Sequence, residues 1–306
     1  MDNSIDNLIK SLTKEFGEDS IQSLEDLEPI ECIPFGIKSL DDITGIGGVP
    51  RGRVTELFGS ESSGKSSLCL ALVSEAQKLG LKCAYIDMEF SMTKELPVKI
   101  GVDLGKLIYA QPITGEEALK LVNELVENDV KLIIVDSVSS LVPEDEAEAE
   151  FDQSSIGLQA RLMSKAMRKL LGPVKRNNVA LVFINQIRDD INKMGFGPKT
   201  TTSGGRALRF YSSLRLKVAR KEWLKKGDEK VGLNIICTTE KNKMYRPQLS
   251  TEFEFYFDKG FDRGADLLAN MVAKNVITVI GRTYYHGDKE LGNKELAAQY
   301  ALDNLK

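Results

Sequence analysis

Few side chains in this sequence of 306 residues suit metal or thiol chemistry. There is one histidine, His286, and the four cysteines (Cys32, Cys69, Cys83, Cys237) lie far apart with no C-x-x-C pair. Such thiols read as buried or idle ones in a reducing compartment, which argues against disulfides and against a cysteine zinc site. With a single imidazole, a Ser-His-Asp triad or a histidine metal site would have to be built around His286, in a stretch that reads as a surface turn. Long apolar runs are also missing. Stretches such as 179–184 fall far short of the ~20 residues that cross a bilayer, and the opening Met1-Asp2-Asn3 has no basic leader region. The expectation is a cytoplasmic protein with no membrane partner. No repeat of fixed period and no low-complexity tract occurs, and 42% hydrophobic with 28% charged residues excludes a disordered or collagen-like chain.

Charge of one sign is scarce in one place. The whole chain carries a net charge of −4, which alone argues weakly against a nucleic-acid partner. Between Arg161 and Lys226, however, seventeen Lys and Arg face three acidic residues, a local +14 that leaves −18 for the rest. That segregation suggests a basic face, although lysines and arginines on solvated helix faces would also produce it.

Apolar periodicity sets the expected organisation. Ile5, Leu8, Ile9, Leu12 and Phe16 form one stripe at helical spacing, followed by the acidic stretch 25–29, so residues 1–33 read as a helix on a tether. From residue 52, short apolar strands alternate with helices: strands at 54–58, 83–87, 132–136 and 179–185, helices at 65–79, after Gly115 and at 157–176. Strands with little alternation, separated by helices, imply a mostly parallel central sheet with helices on both faces. Segments 214–223, 232–239 and 251–257 read as an antiparallel extension. A helix near 265–274, a strand at 276–280 and a helix at 294–305 make a short C-terminal α/β region. The expected domains are therefore 1–33, 34–258 and 259–306 of an α/β protein.

Gly59-Ser60-Glu61-Ser62-Ser63-Gly64-Lys65-Ser66, followed by Ser67, fits G-x-x-x-x-G-K-[ST] between an apolar strand and a helix. Glycines allow consecutive N–H groups to turn toward phosphate oxygens, Lys65 reaches the β and γ phosphates, and the Ser66 hydroxyl ligates magnesium. The strand 132–136 ends in Asp136, which places a carboxylate beside that magnesium, acting through water. Hydrolysis also requires a group that orients water. Asp87 and Glu89 close the strand 83–87 at the same edge, and Glu89 is favoured, with a solvated strand-end acid as the equal alternative. No guanine-reading Asn-Lys-x-Asp string stands in a suitable loop, so ATP is favoured over GTP.

Further strings accompany this loop: Tyr85-Ile-Asp-Met-Glu89, Gln111-Pro-Ile-Thr-Gly-Glu116, Ile134-Val-Asp-Ser-Val138, Ser164-Lys-Ala-Met-Arg-Lys-Leu170, Phe183-Ile-Asn-Gln-Ile-Arg188 and Thr200-Thr-Thr-Ser-Gly-Gly-Arg-Ala-Leu208. Together, over about residues 35–258 and weakly into both ends, they resemble the RecA recombinases. The resemblance implies a RecA-type core that forms an ATP-dependent filament on single-stranded DNA, with ATP at the subunit interface. Such a filament pairs with homologous duplex DNA, exchanges strands and hydrolyses ATP when DNA is bound. It implies that Glu89 activates water, that Gln186 senses the γ-phosphate, and that Lys241 and Lys243 reach a neighbour's ATP. It assigns DNA contacts to Arg161, Ser164, Arg168, Arg188, Gly204 and Gly205, and the separation of base triplets to Ile156 and Ile191. By the same likeness the loops 144–156 and 187–205 carry DNA, although the first is strongly acidic; the second also reads as a long structureless loop with the composition of a functional one.

Several positions depart from the family pattern. Asp189-Asp190 follow Arg188, Ser203 is an extra residue before the glycine pair, and Thr93, Leu96 and Phe257 replace polar or tyrosine side chains near the adenine. The C-terminal region is shorter than the family's usual lobe and lacks its acidic tail, a compactness more like that of a bacteriophage or mobile-element version. Two alternatives stay open: a hexameric helicase on the same core, and a nucleotide-gated DNA-binding mediator with little ATPase.

Overall fold

Uninterrupted apolar runs can be buried only where both faces of a sheet are covered, and this requirement shapes the larger part of the chain. In the computed structural model, residues 3–17, 21–150, 157–189 and 200–305 are described. They divide into two units, Met1–Glu31 and Cys32–Lys306. The first contains α1 (Asn3–Phe16), with Asp6 in its first turn and Lys14 in its last, charges that complement the helix dipole. Ile5, Leu8 and Phe16 of its apolar stripe are exposed.

The second unit opens with β1 (Cys32–Ile33) and β2 (Val49–Pro50), an antiparallel pair around α2 (Lys38–Thr44). The alternating region then supplies β3 (Arg53–Gly59), α3 (Lys65–Lys78), β4 (Cys83–Asp87), α4 (Glu95–Ile100), β5 (Leu107–Ala110), α5 (Gly115–Glu127) and β6 (Leu132–Asp136). After α6 (Glu144–Ala147) come α7 (Leu158–Arg176), β7 (Ala180–Asp189), β8 (Thr200–Thr202) and α8 (Arg206–Tyr211). The extension consists of β9 (Leu214–Lys226), β10 (Glu229–Asn242), β11 (Ser250–Tyr256) and β12 (Gly260–Phe261). The C-terminal part contains α9 (Arg263–Ala273), β13 (Thr278–Ile280), β14 (Thr283–His286), β15 (Lys289–Gly292) and α10 (Lys294–Asn304).

One ten-stranded sheet runs in the order β12-β11-β10-β9-β3-β7-β6-β4-β5, with β8 paired to β7. From β9 to β5 the neighbours are parallel; from β9 to β12 they are antiparallel. Every residue of β4 and β6 is buried. Leu68 and Leu72 of α3 pack with Leu57, Tyr85 and Ile134 on one face, and Val122 of α5 and Met167 of α7 pack with Val54, Ile86 and Val135 on the other. Each such leucine contributes roughly 1.5–3 kcal/mol on burial. Thr114 and Glu117 start α5 with a reciprocal capping box, which fixes where the chain leaves the sheet edge. In the C-terminal part, Leu267, Leu268, Met271, Ile277 and Leu291 form a small core under β13–β15.

Some expected boundaries move. The strand expected over 179–185 continues to Asp189, because Ile187, Arg188 and Asp189 pair with Thr202, Thr201 and Thr200. The stems of the second loop are therefore strands, not structureless chain. His286 lies in β14, not in a turn, with Nδ1 3.0 Å from the Tyr300 hydroxyl. All four cysteines are free, and burial pushes the thiols of Cys83 and Cys237 up to about 12, so they remain protonated.

Asp41 of α2 accepts N–H bonds from Phe35 (2.7 Å) and Gly36 (3.1 Å). Burial, and to a lesser degree the charge of Asp266, raises its carboxyl from 3.8 to about 7, although those two bonds oppose the rise. A carboxyl raised in the folded state stabilises the fold below its unfolded value, and that stabilisation is lost as pH climbs through 7. Asp41→Asn should therefore gain stability relative to wild type between pH 4 and pH 8, by at most ~4 kcal/mol. Urea unfolding midpoints at the two pH values measure it, and a difference independent of pH would contradict the assignment.

Candidate active site

Parallel register brings the polar residues together. Gly59 on β3 lies opposite Gln186 on β7, and Asp87 on β4 lies opposite Asp136 on β6. Because these strands run the same way, their carboxyl ends form one edge, where open α/β sheets bind ligands. A cavity of about 380 Å³ opens there, lined by residues 61–67 together with Glu89, Asp136 and Gln186. A larger groove, about 620 Å³, lies between α5 and α7. It holds none of these acids, so the chemistry belongs to the smaller cavity.

Between β3 and α3 the loop bends through Ser62 at φ +53° and Gly64 at φ +95°. A side chain at Gly64 would meet Ile235 Cδ1 at 2.6 Å, so glycine is required there for both backbone and space. The helix begins at Lys65, leaving the N–H groups of its first turn without intrahelical partners and directed at this edge. Lys65 Nζ donates to the carbonyls of Gly59 (3.2 Å) and Ser60 (2.7 Å). Burial lowers its pKa, and the charges of Asp136, Glu89 and Glu61 oppose that shift.

Asp136 is raised chiefly by burial, against hydroxyl bonds from Tyr85 (2.6 Å) and Ser66 (2.7 Å) that favour its charged form. Glu89 Oε1 accepts from Ser137 Oγ at 2.5 Å and from Gln186 Nε2 at 3.0 Å. The turn carrying Glu89 is held by Asp87, whose carboxylate accepts the N–H groups of Glu89, Ser91 and Met92 and the Tyr109 hydroxyl. Consecutive N–H groups, an ammonium, serine hydroxyls and two carboxylates form a donor set suited to a magnesium-bound polyphosphate. Among the described residues no three His, Cys, Asp or Glu side chains converge as a metal site. Ser66, Asp136 through water and the phosphates themselves would have to hold the ion.

Residues 3–262 match the family model for the RecA N-terminal domain. The protein RecA of Aquifex pyrophilus is 43% identical over 300 residues, spanning 97% of this chain and 86% of that protein. The chain belongs to the RecA family. The RecA proteins of Thermus aquaticus, at 43% over 302 residues, and Clostridium tetani, at 40% over 305, agree; the chain spans 88% and 87% of their lengths. The fold is also that of a solved structure, the RadB recombinase, at a TM-score of 0.57 and 23% identity over 75% of this chain and 98% of that one.

The remaining residues implied by RecA likeness fall elsewhere. Arg161, Ser164 and Arg168 follow one another along α7, where Arg168 Nη1 donates to Ser164 Oγ at 3.0 Å. Gly204 and Gly205 have φ of +79° and +72°. A side chain at Gly205 would meet Ala160 Cβ of α7 at 2.8 Å, so the glycine pair lies close against that helix. Lys241 and Lys243 do not line the cavity. Lys241 Nζ donates to the carbonyls of Arg209 and Phe210 at the end of α8, and burial lowers its pKa first, with Lys243 adding to the shift. Arg188 is placed by its backbone in β7. Ile156 and Ile191 lie outside the described residues.

Other residues that hold the site together carried no local signal in the sequence. Gln159 Nε2 donates to Val138 O (2.8 Å), and its Oε1 accepts the Gly204 N–H (3.2 Å), tying the glycine pair to the chain after β6. Asn185 Nδ2 bridges Glu56 (2.9 Å) and the Ser203 carbonyl (3.0 Å), while its Oδ1 accepts the Gln186 N–H. Glu56 in turn pairs with Arg215 at 2.5 Å, both almost wholly buried. Removing one partner of a buried pair leaves an uncompensated charge, so Arg215→Met should destabilise by ~3–5 kcal/mol. The double variant Glu56→Gln/Arg215→Met should cost less than the single one, and urea unfolding of the three proteins measures this.

Proposed function

We propose how this RecA-type recombinase, a DNA-dependent ATPase, uses its site. Residues 59–67 would hold magnesium-ATP, with Ser66 as a ligand to the metal and Asp136 reaching it through water. Glu89 accepts a proton from the attacking water, and Lys65 offsets charge on the β and γ phosphates. Gln186 contacts the γ-phosphate and passes its occupancy to the loop that follows β7. The observation that carries this reading is the shared Oε1 of Glu89, which receives the Gln186 amide inside the cavity formed by the phosphate loop. Water activation and phosphate sensing are thereby one hydrogen bond apart.

Single-stranded DNA is bound by Arg161, Ser164 and Arg168, the Arg188 segment and the glycine pair, with Ile156 and Ile191 between base triplets. Contacts of this type go mainly to the backbone, so any sequence is accepted and a homologous duplex can be paired. Lys241 and Lys243 supply positive charge to the ATP of an adjacent subunit in a cytoplasmic filament, a role supported by their lying outside the lining of this chain's own cavity. Residues 1–31, rather than 1–33, are the arm that packs onto the neighbour, since Cys32–Ile33 pair with β2; residues 34–258 are the ATPase and DNA-binding core, and residues 259–306 a C-terminal region. Among the described residues no helix is long and apolar enough to cross a membrane.

ATP hydrolysis measured with and without single-stranded DNA tests the mechanism. Wild type should be strongly stimulated by DNA, and Glu89→Gln should lose that turnover by ~100-fold or more while still shifting DNA in gels. DNA binding without turnover in wild type would favour a mediator instead. The assembly arm is tested by deleting residues 1–31, a cut that spares the pairing of Cys32–Ile33 with β2. The truncated protein should remain folded by circular dichroism and form no filaments in micrographs; surviving filaments would refute the role of the arm, and closed rings of the full chain would favour a helicase.

A further inference from the structure

A phenol in the middle of a buried strand needs a reason, because phenylalanine fills the same space without a hydroxyl to desolvate. Tyr85 is fully buried within β4, and its ring belongs to the core between the sheet and α3. Its hydroxyl lies 2.6 Å from Asp136 Oδ2, on the neighbouring strand. Ser66 Oγ reaches the same oxygen at 2.7 Å. Both bonds fall on Oδ2, and Asp136 is itself only 5% exposed. A carboxylate gripped on one oxygen by two donors, one of them on a rigid buried ring, cannot rotate freely.

We propose that Tyr85 is a positioning residue of the nucleotide site: its hydroxyl, with that of Ser66, occupies Oδ2 of Asp136 and so reserves Oδ1 for the water shell of the bound magnesium. The inference rests on the reading of Ser66 and Asp136 as the magnesium residues. Tyr85 touches neither nucleotide nor metal; it acts through Asp136, as outer-shell hydrogen-bond partners orient ligands elsewhere. For nucleotide affinity the hydroxyl matters only when the metal is present, whereas the ring matters to packing at all times. That separates the two roles experimentally.

The test is the affinity of the full-length protein for ADP, measured by calorimetry across a magnesium titration and again in EDTA, for wild type and Tyr85→Phe. The variant should need ~10-fold or more magnesium for the half-maximal gain in ADP affinity, with its affinity in EDTA within twofold of wild type. An unchanged magnesium requirement would overturn the proposal. So would an equal loss of ADP binding in EDTA and in magnesium, which would make Tyr85 a packing residue. In an Asp136→Asn background, Tyr85→Phe should change the magnesium requirement no further, and an additive loss there would likewise overturn it. A wild-type protein whose ADP affinity gains nothing from magnesium would instead refute the underlying assignment of Ser66 and Asp136.

Discussion

The alignment of β3, β7, β6 and β4 in one parallel direction is the constraint on which the site depends. Strands covered on both faces cannot carry polar side chains along their length without burying them, so polar residues concentrate at the ends. Since the pairings set Gly59 beside Gln186 and Asp87 beside Asp136, those ends coincide. The phosphate loop, the acid on the turn after β4 and the amide of β7 thus converge without any one segment folding specially to meet another. A slip of one residue between β4 and β6 would turn Asp136 to the opposite face and leave its two hydroxyl donors without it.

Part of this was legible because it is local. The phosphate loop is a contiguous string whose spacing already encodes its turn and helix, and Asp136 and Glu89 stand at the ends of apolar runs that read as strands, although local sequence left Glu89 no better than an ordinary strand-end acid. The alternation of strands and helices, the antiparallel extension and the C-terminal helices were legible for the same reason. What escaped depends on neighbours from other strands. Nothing around Asn185 reveals that its amide spans Glu56 and Ser203, nothing around Gln159 reveals the Gly204 N–H, and Tyr85 looks like any aromatic residue of a core strand. The threonines of β8 read as loop because their pairing partners in β7 are more than ten residues away. Edge strand β5 escaped although Leu107–Ala110 is wholly apolar, because a run of four residues does not by itself mark a strand.

The end of β7 serves two masters. Asn185 and Gln186 are consecutive, and their side chains leave the strand on opposite sides. Gln186 reaches Glu89 in the cavity, while Asn185 holds the carbonyl of Ser203 beside the glycine pair. The Gln186 N–H is itself held by Asn185 Oδ1, so one peptide unit separates the contact in the cavity from the contact beside the glycine pair. Two adjacent residues of β7 thus touch both the cavity and the segment before the glycine pair.

The buried pair of Glu56 and Arg215 has a consequence for how the chain reaches this arrangement. These residues are direct register partners across the parallel β3–β9 pairing, some 159 positions apart in sequence. Closing so long a loop is slow, and β9, whose buried start is Leu214–Leu216, could otherwise meet β3 at more than one offset. At every offset but one, a carboxylate and a guanidinium would be buried apart from each other, an arrangement far costlier than a mismatched pair of aliphatic side chains. The pair therefore favours one offset of β9 on β3 over every other, and so fixes the register of the seam that joins the parallel strands to the antiparallel extension.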